Sequence, residues 1–213
     1  MKLFVHYSPG ILPLYTNFCR SVWEKTTFNL IAALVPEEFS GCVFGEDRYW
    51  AMIKWLAADR LRIIRERVGE LIIFAGCDAE FYGNAAKDIE ARMGDLDFLT
   101  PDDGDGRCTG CLQAVRCDAK TIAMYEQVVK FSENQRDDFC LDKWRKTVAW
   151  GMLSRNLYWN LAGVYEWEEG KPVADPPKEI LWFHANWCRG MKNKLFLLNM
   201  VRAKLQGEKA NGK

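Results

Sequence analysis

Two acids two positions apart, Asp78 and Glu80, follow an apolar run in "LIIFAGCDAEFYG", residues 71–83. Carboxylates are hard oxygen donors, and one or two of them hold Mg²⁺ or Mn²⁺ when a substrate's phosphates complete the shell. In an extended segment residues i and i+2 project from one face, so the pair converges on one point if the strand persists through Glu80. In a solvated loop the same acids only cap the next helix. A second polar group lies near the end, where "FHANWCRGMKNK" puts His184 directly after an apolar stretch, with Gly190, Lys192 and Lys194 behind it. Taken alone, a histidine at a strand end is more often a hydrogen-bonded structural residue than a ligand. Together with two carboxylates it completes a divalent-cation set and tilts the choice toward Mn²⁺, while the lysines suit phosphate oxygens.

The cysteines offer a competing chemistry. "CTGC" spaces Cys108 and Cys111 as a metal knuckle does, with Cys117 close behind, but no second closely spaced Cys/His pair completes a four-ligand zinc site. Eight cysteines in a chain of 213 residues without an export signal are expected to be reduced, packed thiols.

The elements that must position these groups alternate between strand and helix, the order that builds an α/β fold with a mostly parallel central sheet and helices on both faces. "KLFVHY" reads as a strand, "LPLYTNFCRSVWEK" as a helix, and "FNLIAALVP" as a strand stopped by Pro36. Ile53, Leu56, Ala57, Leu61, Ile64 and Val68 give a helix from Asp47 to Val68 its inner face. "LIIFAG" is apolar throughout, as a central strand covered on both sides should be. A helix in "NAAKDIEARMGD", a strand stub and loop in "DLDFLTPDDGDGRCTG", a strand in "CLQAVRCD" and a helix marked by Ile122, Tyr125 and Val129 follow. Then come a helix through "DDFCLDKWRKTVAWGML", a strand in "EILWFHANW" and a closing helix striped by Leu198, Val201 and Leu205. One domain is expected over residues 1–205, with a polar tail or linker at 206–213. Acidic and basic residues balance at 29 each, which leaves no field to hold a nucleic acid. No run approaches the roughly 18 apolar residues of a membrane span, and "MKLFVHYSPG" lacks the features of a signal peptide, so a cytoplasmic protein is expected.

In order along the chain, "LIIFAGCDAEFYG", "DLDF", "CTGCLQAVRCDAKT" and "HANWCRGMKNK" resemble the motifs of the nucleotide-diphospho-sugar transferases, which have a glycosyltransferase A fold. The length and polar end also resemble the N-terminal glycosyltransferase domain of a large algal virus protein, which implies host cytoplasm and further domains C-terminal to this chain. The family resemblance implies transfer of a hexose or 6-deoxyhexose from a UDP-sugar to a hydroxyl of a glycan or glycoprotein acceptor, assisted by Mn²⁺ or Mg²⁺. It further implies Asp78 and His184 as metal ligands and Lys194 on the donor diphosphate with Gly190 letting the backbone approach; Tyr7, at the end of the first strand, either stacks on the nucleobase or packs in the fold. Lys192 belongs to the same closing motif. Asp138 or its neighbour Asp137 is the implied base or sugar-hydroxyl ligand, or else an N-cap of the following helix, and Asp95 and Asp97 are donor-sugar contacts or ordinary loop acids. The chain departs from the pattern in three places. Gly76 stands at the first aspartate of one alignment, which leaves Glu80 an extra acid; in the other, Asp78-Ala79-Glu80 is itself the motif. Cys111 replaces an aromatic, and Phe139 an amide.

Overall fold

The computed structural model describes residues 1–42, 46–103, 106–132, 135–160, 167–186 and 188–207. Its centre is β3 (Leu71–Ala75), whose residues serve two cores by simple alternation. Ile73 and Ala75 pack on one face with Phe18 and Val22 of α1 (Leu12–Lys25) and Ile89 of α3 (Ala85–Met93). Ile72 and Phe74 pack on the other with Leu61 and Ile64 of α2 (Asp47–Glu66) and Met124 and Val128 of α4 (Ala119–Phe131). Burial of each such side chain stabilises the fold by about 1.5–3 kcal/mol, which makes the unbroken apolar run a requirement of its position.

The sheet has the order β2-β1-β3-β6-β5-β7. In it β1 (Lys2–Tyr7) is parallel to both β2 (Asn29–Leu34) and β3, and β5 (Phe98–Pro101) is parallel to β7 (Trp150–Leu153). Only β6 (Leu112–Arg116) is reversed, antiparallel to its neighbours β3 and β5. The sheet is thus mostly parallel, and the reversed strand brings its start, rather than its end, to the edge where β1 and β3 finish. Asp118 stops β6 and caps α4, accepting from the N–H groups of Lys120 and Thr121 in a reciprocal capping box.

Three expectations need correction. The helix through "DDFCLDKWRKTVAWGML" is only α5 (Asp137–Trp144); after a 3-10 turn at Arg145–Thr147 the chain becomes β7, where Trp150 pairs with Phe98. Pairing with β5 outweighs the local helical pattern. α2 ends at Glu66, leaving Val68 exposed. The strand in "EILWFHANW" does not extend the main sheet. It is β9 (Trp182–His184), at the middle of a separate three-stranded sheet between β4 (Ala79–Phe81), antiparallel to it, and β8 (Tyr158–Asn160), parallel to it. Sequence periodicity missed β4 and β8 because three residues carry too little of it. The closing helix α6 (Met191–Leu205) packs Leu197, Leu198 and Val201 against Trp167, Phe183 and Leu14.

Candidate active site and cation centre

β3 ends at Ala75, and the N–H of Gly76 then donates to the carbonyl of Cys111, 2.8 Å away, just ahead of β6. Two residues on, the chain crosses to the small sheet, where the carbonyl of Asp78 accepts from Ala185 N–H at 2.9 Å. Ala79, His184 and Asn160 are register partners across β4, β9 and β8, so Asp78 arrives beside His184 because the strands are paired that way. His184 Nε2 lies 3.4 Å from Asp78 Oδ2.

The imidazole is fixed on its other side. Asn160 Nδ2 donates to the carbonyl of Asp102 at 3.1 Å, which turns Asn160 Oδ1 toward His184 Nδ1, 3.2 Å away. With Nδ1 donating to Asn160 Oδ1, the Nε2 lone pair faces Asp78 and suits a cation held between them. Trp182 stacks near the ring, with centroids 5.6 Å apart. Lys194, in the first turn of α6, donates to Asp78 Oδ2 and, at 3.2 Å, to the carbonyl of Ala185. Burial alone would raise the Asp78 carboxyl, but the Lys194 ammonium beside it outweighs this and holds the group well below the usual carboxylate range. Burial would likewise lower the Lys194 ammonium, and Asp78 raises it instead. The N-cap of α6 is Gly190, whose φ of 79° is the left-handed region that favours glycine. A cleft of about 370 Å³ opens here, lined among others by His6, Arg60, Gly76, Asp78, Gly190 and Lys194.

A third donor belongs to this group. Cys111 Sγ, an Asp78 carboxylate oxygen and a His184 ring nitrogen lie within 4.8 Å of one another, and among the described residues no other such trio of His, Cys, Asp or Glu occurs. Oxygen, sulfur and imidazole donors at this spacing fit a divalent cation. Sequence reasoning weighed Cys111 only with Cys108 and Cys117, which do not join it: Cys108 is buried and Cys117 sits at the far end of β6. The hydrogen-bonded neighbours Gly76 and Cys111 were the usable signal, but their strands pair only in three dimensions.

The other expected residues are placed as follows. Glu80 is in β4, buried, and does not converge with Asp78; Arg202 donates to its two oxygens at 2.8 and 2.9 Å and Tyr82 Oη at 3.1 Å. Asp78 lies in the bend before β4, so the i, i+2 rule for a continuous strand does not apply to the pair. Tyr7, at the end of β1, stacks on Tyr15 at 4.0 Å. Lys192 points to solvent, 86% exposed, and pairs with Glu169. Asp97 precedes β5, at the opposite end of the sheet from the cleft; it is buried and accepts from Ala149 N–H and Lys120. Asp95 is exposed in the same turn, not extended with Asp97. Asp138 is gripped by Arg136 through both oxygens, beside a small cavity shared with Asp103 and Asp142. Asp137 begins α5, and its side chain lies outside the described residues. The acid that reaches the cleft end of β5 is Asp103, held by Asn186 Nδ2 at 2.7 Å, two residues after His184. No helix among the described residues is long and apolar enough to cross a membrane.

No family model matches the sequence, and no curated protein sequence does. Solved structures share the architecture. The glycosyltransferase GlyE of Streptococcus pneumoniae TIGR4 superposes with a TM-score of 0.60 at 10% identity, over 97% of this chain and 62% of its own. Mouse xyloside xylosyltransferase 1 gives 0.54 at 9% identity, over 87% of this chain and 98% of its own. The galactosyltransferase LgtC, solved with donor and acceptor sugar analogues, gives 0.52 at 9% identity, over 100% and 98%. The chain therefore spans under two thirds of GlyE and nearly all of the other two. The fold is the GT-A type, α/β with a six-stranded central sheet flanked by helices.

Proposed function

We propose that this chain is a metal-dependent glycosyltransferase that moves a hexose or 6-deoxyhexose from a UDP-sugar to a glycan hydroxyl. The observation that carries the reading is the convergence of His184 and Lys194 on Asp78, which with Lys194 lines a cleft at the carboxyl ends of β1 and β3, where open α/β sheets take their ligands. Asp78 and His184 are the proposed cation ligands, and the imidazole favours Mn²⁺ over Mg²⁺. A cation held there supplies Lewis-acid stabilisation to the departing diphosphate. Lys194 adds a fixed positive charge at the same place, so it stabilises negative charge as the anomeric bond breaks. Gly190 holds the α6 N-terminus open toward the cleft.

Asp138 serves as acceptor base in this reading only when Arg136 releases it, and Asp103 is the better connected acid. The grip of Arg136 favours a second reading, a donor-binding module without turnover, which would bind UDP-sugar and release no UDP. Asp97, tied into the sheet away from the cleft, is not carried forward as a sugar contact. The algal-virus likeness gains nothing from the structural neighbours.

Calorimetric titration of UDP, with Mn²⁺ and then with the metal chelated, tests the proposal. Metal-dependent binding that is lost in Asp78→Asn is expected. No binding in either condition would overturn it.

A further inference from the structure

We propose that the cation centre is sulfur-bearing: Cys111 supplies a thiolate as third ligand beside Asp78 and His184, so the site selects Zn²⁺ or Co²⁺ over Mg²⁺ and Mn²⁺. The inference deepens the reading above for the same site and rests on that site holding a cation. Its first support is the donor set, one oxygen, one sulfur and one nitrogen within 4.8 Å of one another. Mg²⁺ demands a near-octahedral shell of oxygens, and Mn²⁺ stands lowest in affinity among the first-row divalent ions for a nitrogen and sulfur site. Three protein ligands with a further position open to a substrate oxygen is the arrangement of a catalytic zinc.

The local packing explains why sulfur stands here. Gly76 N–H is bonded to the carbonyl of Cys111. A Cβ on Gly76 would come within 2.9 Å of Asp78 Oδ1 and 3.7 Å of Cys111 Sγ, so the thiol and the carboxylate converge across the space a side chain at 76 would fill. With glycine at 76, the Cys111 thiol and the Asp78 carboxylate can face each other without a side chain between them. Glu80 cannot compensate, because both its oxygens are held by Arg202. His184 is prepared as a ligand by Asn160. On binding, the Cys111 S–H gives its proton to solvent as the metal–sulfur bond forms, with no change of oxidation state.

The test is anaerobic titration of the metal-free chain with Co²⁺, without any nucleotide. The expected result is a near-ultraviolet sulfur-to-cobalt charge-transfer band, abolished by equimolar Zn²⁺ and untouched by excess Mg²⁺ or Mn²⁺. Cys111→Ser should lose the band and weaken Zn²⁺ binding by at least about 100-fold, beyond the usual cost of an outer-shell change. Cys42→Ser, at a half-exposed thiol outside the trio, should keep both. Cobalt bound without the band, or Zn²⁺ affinity unchanged in Cys111→Ser, would overturn the proposal. Titration of UDP with Mn²⁺ into a folded Cys111→Ser protein separates the two readings. Binding retained there sustains the transferase proposal whatever becomes of the thiolate.

Discussion

Replacing Glu80 by alanine separates a structural acid from a catalytic one. Glu80 and Arg202 meet through two charge-assisted bonds, at 2.8 and 2.9 Å, with side chains 6% and 23% exposed. Removing one partner of a buried pair costs about 3–5 kcal/mol, because the other charge is left without compensation. Arg202 keeps a bond to Asn17 at 2.6 Å and has one flank in water, which places Glu80→Ala at the lower end, about 3 kcal/mol. In a chain of this size each kcal/mol lowers the melting temperature by roughly 2–4 °C, so a drop of roughly 6–12 °C is expected. Glu80→Gln retains one acceptor for Arg202 and should lose about half as much. Thermal melting followed by circular dichroism reads the loss, and calorimetry with UDP and metal reads the site, which should be unchanged at a temperature where the variant is folded. An unshifted melt with collapsed metal affinity would refute the reasoning and return Glu80 to the cation.

Asn160→Ala frees the imidazole of His184, and metal affinity should fall roughly 10–100-fold with the fold retained, measured by titration of the metal-free protein. Because the Asp78 carboxyl is held below its unfolded value, it contributes stability that is complete above about pH 4 and is lost as the pH falls through the folded value. Lys194→Met removes the first charge opposing burial, so urea unfolding between pH 3 and 7 should show a shallower acid loss; an unchanged slope would refute the coupling. Burial lifts the Cys77, Cys108 and Cys117 thiols to about 12, and a thiol reagent at pH 8 should label Cys42 and Cys111 first. Early labelling of Cys77 would contradict the packing.

What was legible in the sequence was what rests on long patterns. The β1, α1, β2 and β3 segments carry enough periodicity, or enough unbroken apolar character, to be read locally, and Asp78, His184 and Lys194 follow from strand ends and a motif. The misses share a cause. Glu80 and Cys111 were judged by spacing along the chain, yet the neighbours of each lie far away in sequence, Arg202 in one case and Asp78 with His184 in the other. Asp97 looked like a sugar contact because its strand's direction in the sheet is not written in its neighbours. Asn160 gave no signal, since a three-residue strand has no period and an isolated asparagine no motif.

The small sheet also bears on how the chain acquires its site. Its strands come from around residues 79, 158 and 182, and the Asp78 to Lys194 bond spans 116 positions. Contacts of such separation repay the entropy of loop closure only after the intervening chain is ordered. The β1, β2 and β3 layer with α1 and α2 draws on nearer partners and can form sooner. The Asp78 to Lys194 contact would then form after the sheet, once α6 reaches the end of β3. Ligand occupancy during refolding would therefore time the arrival of α6, not the collapse of the sheet.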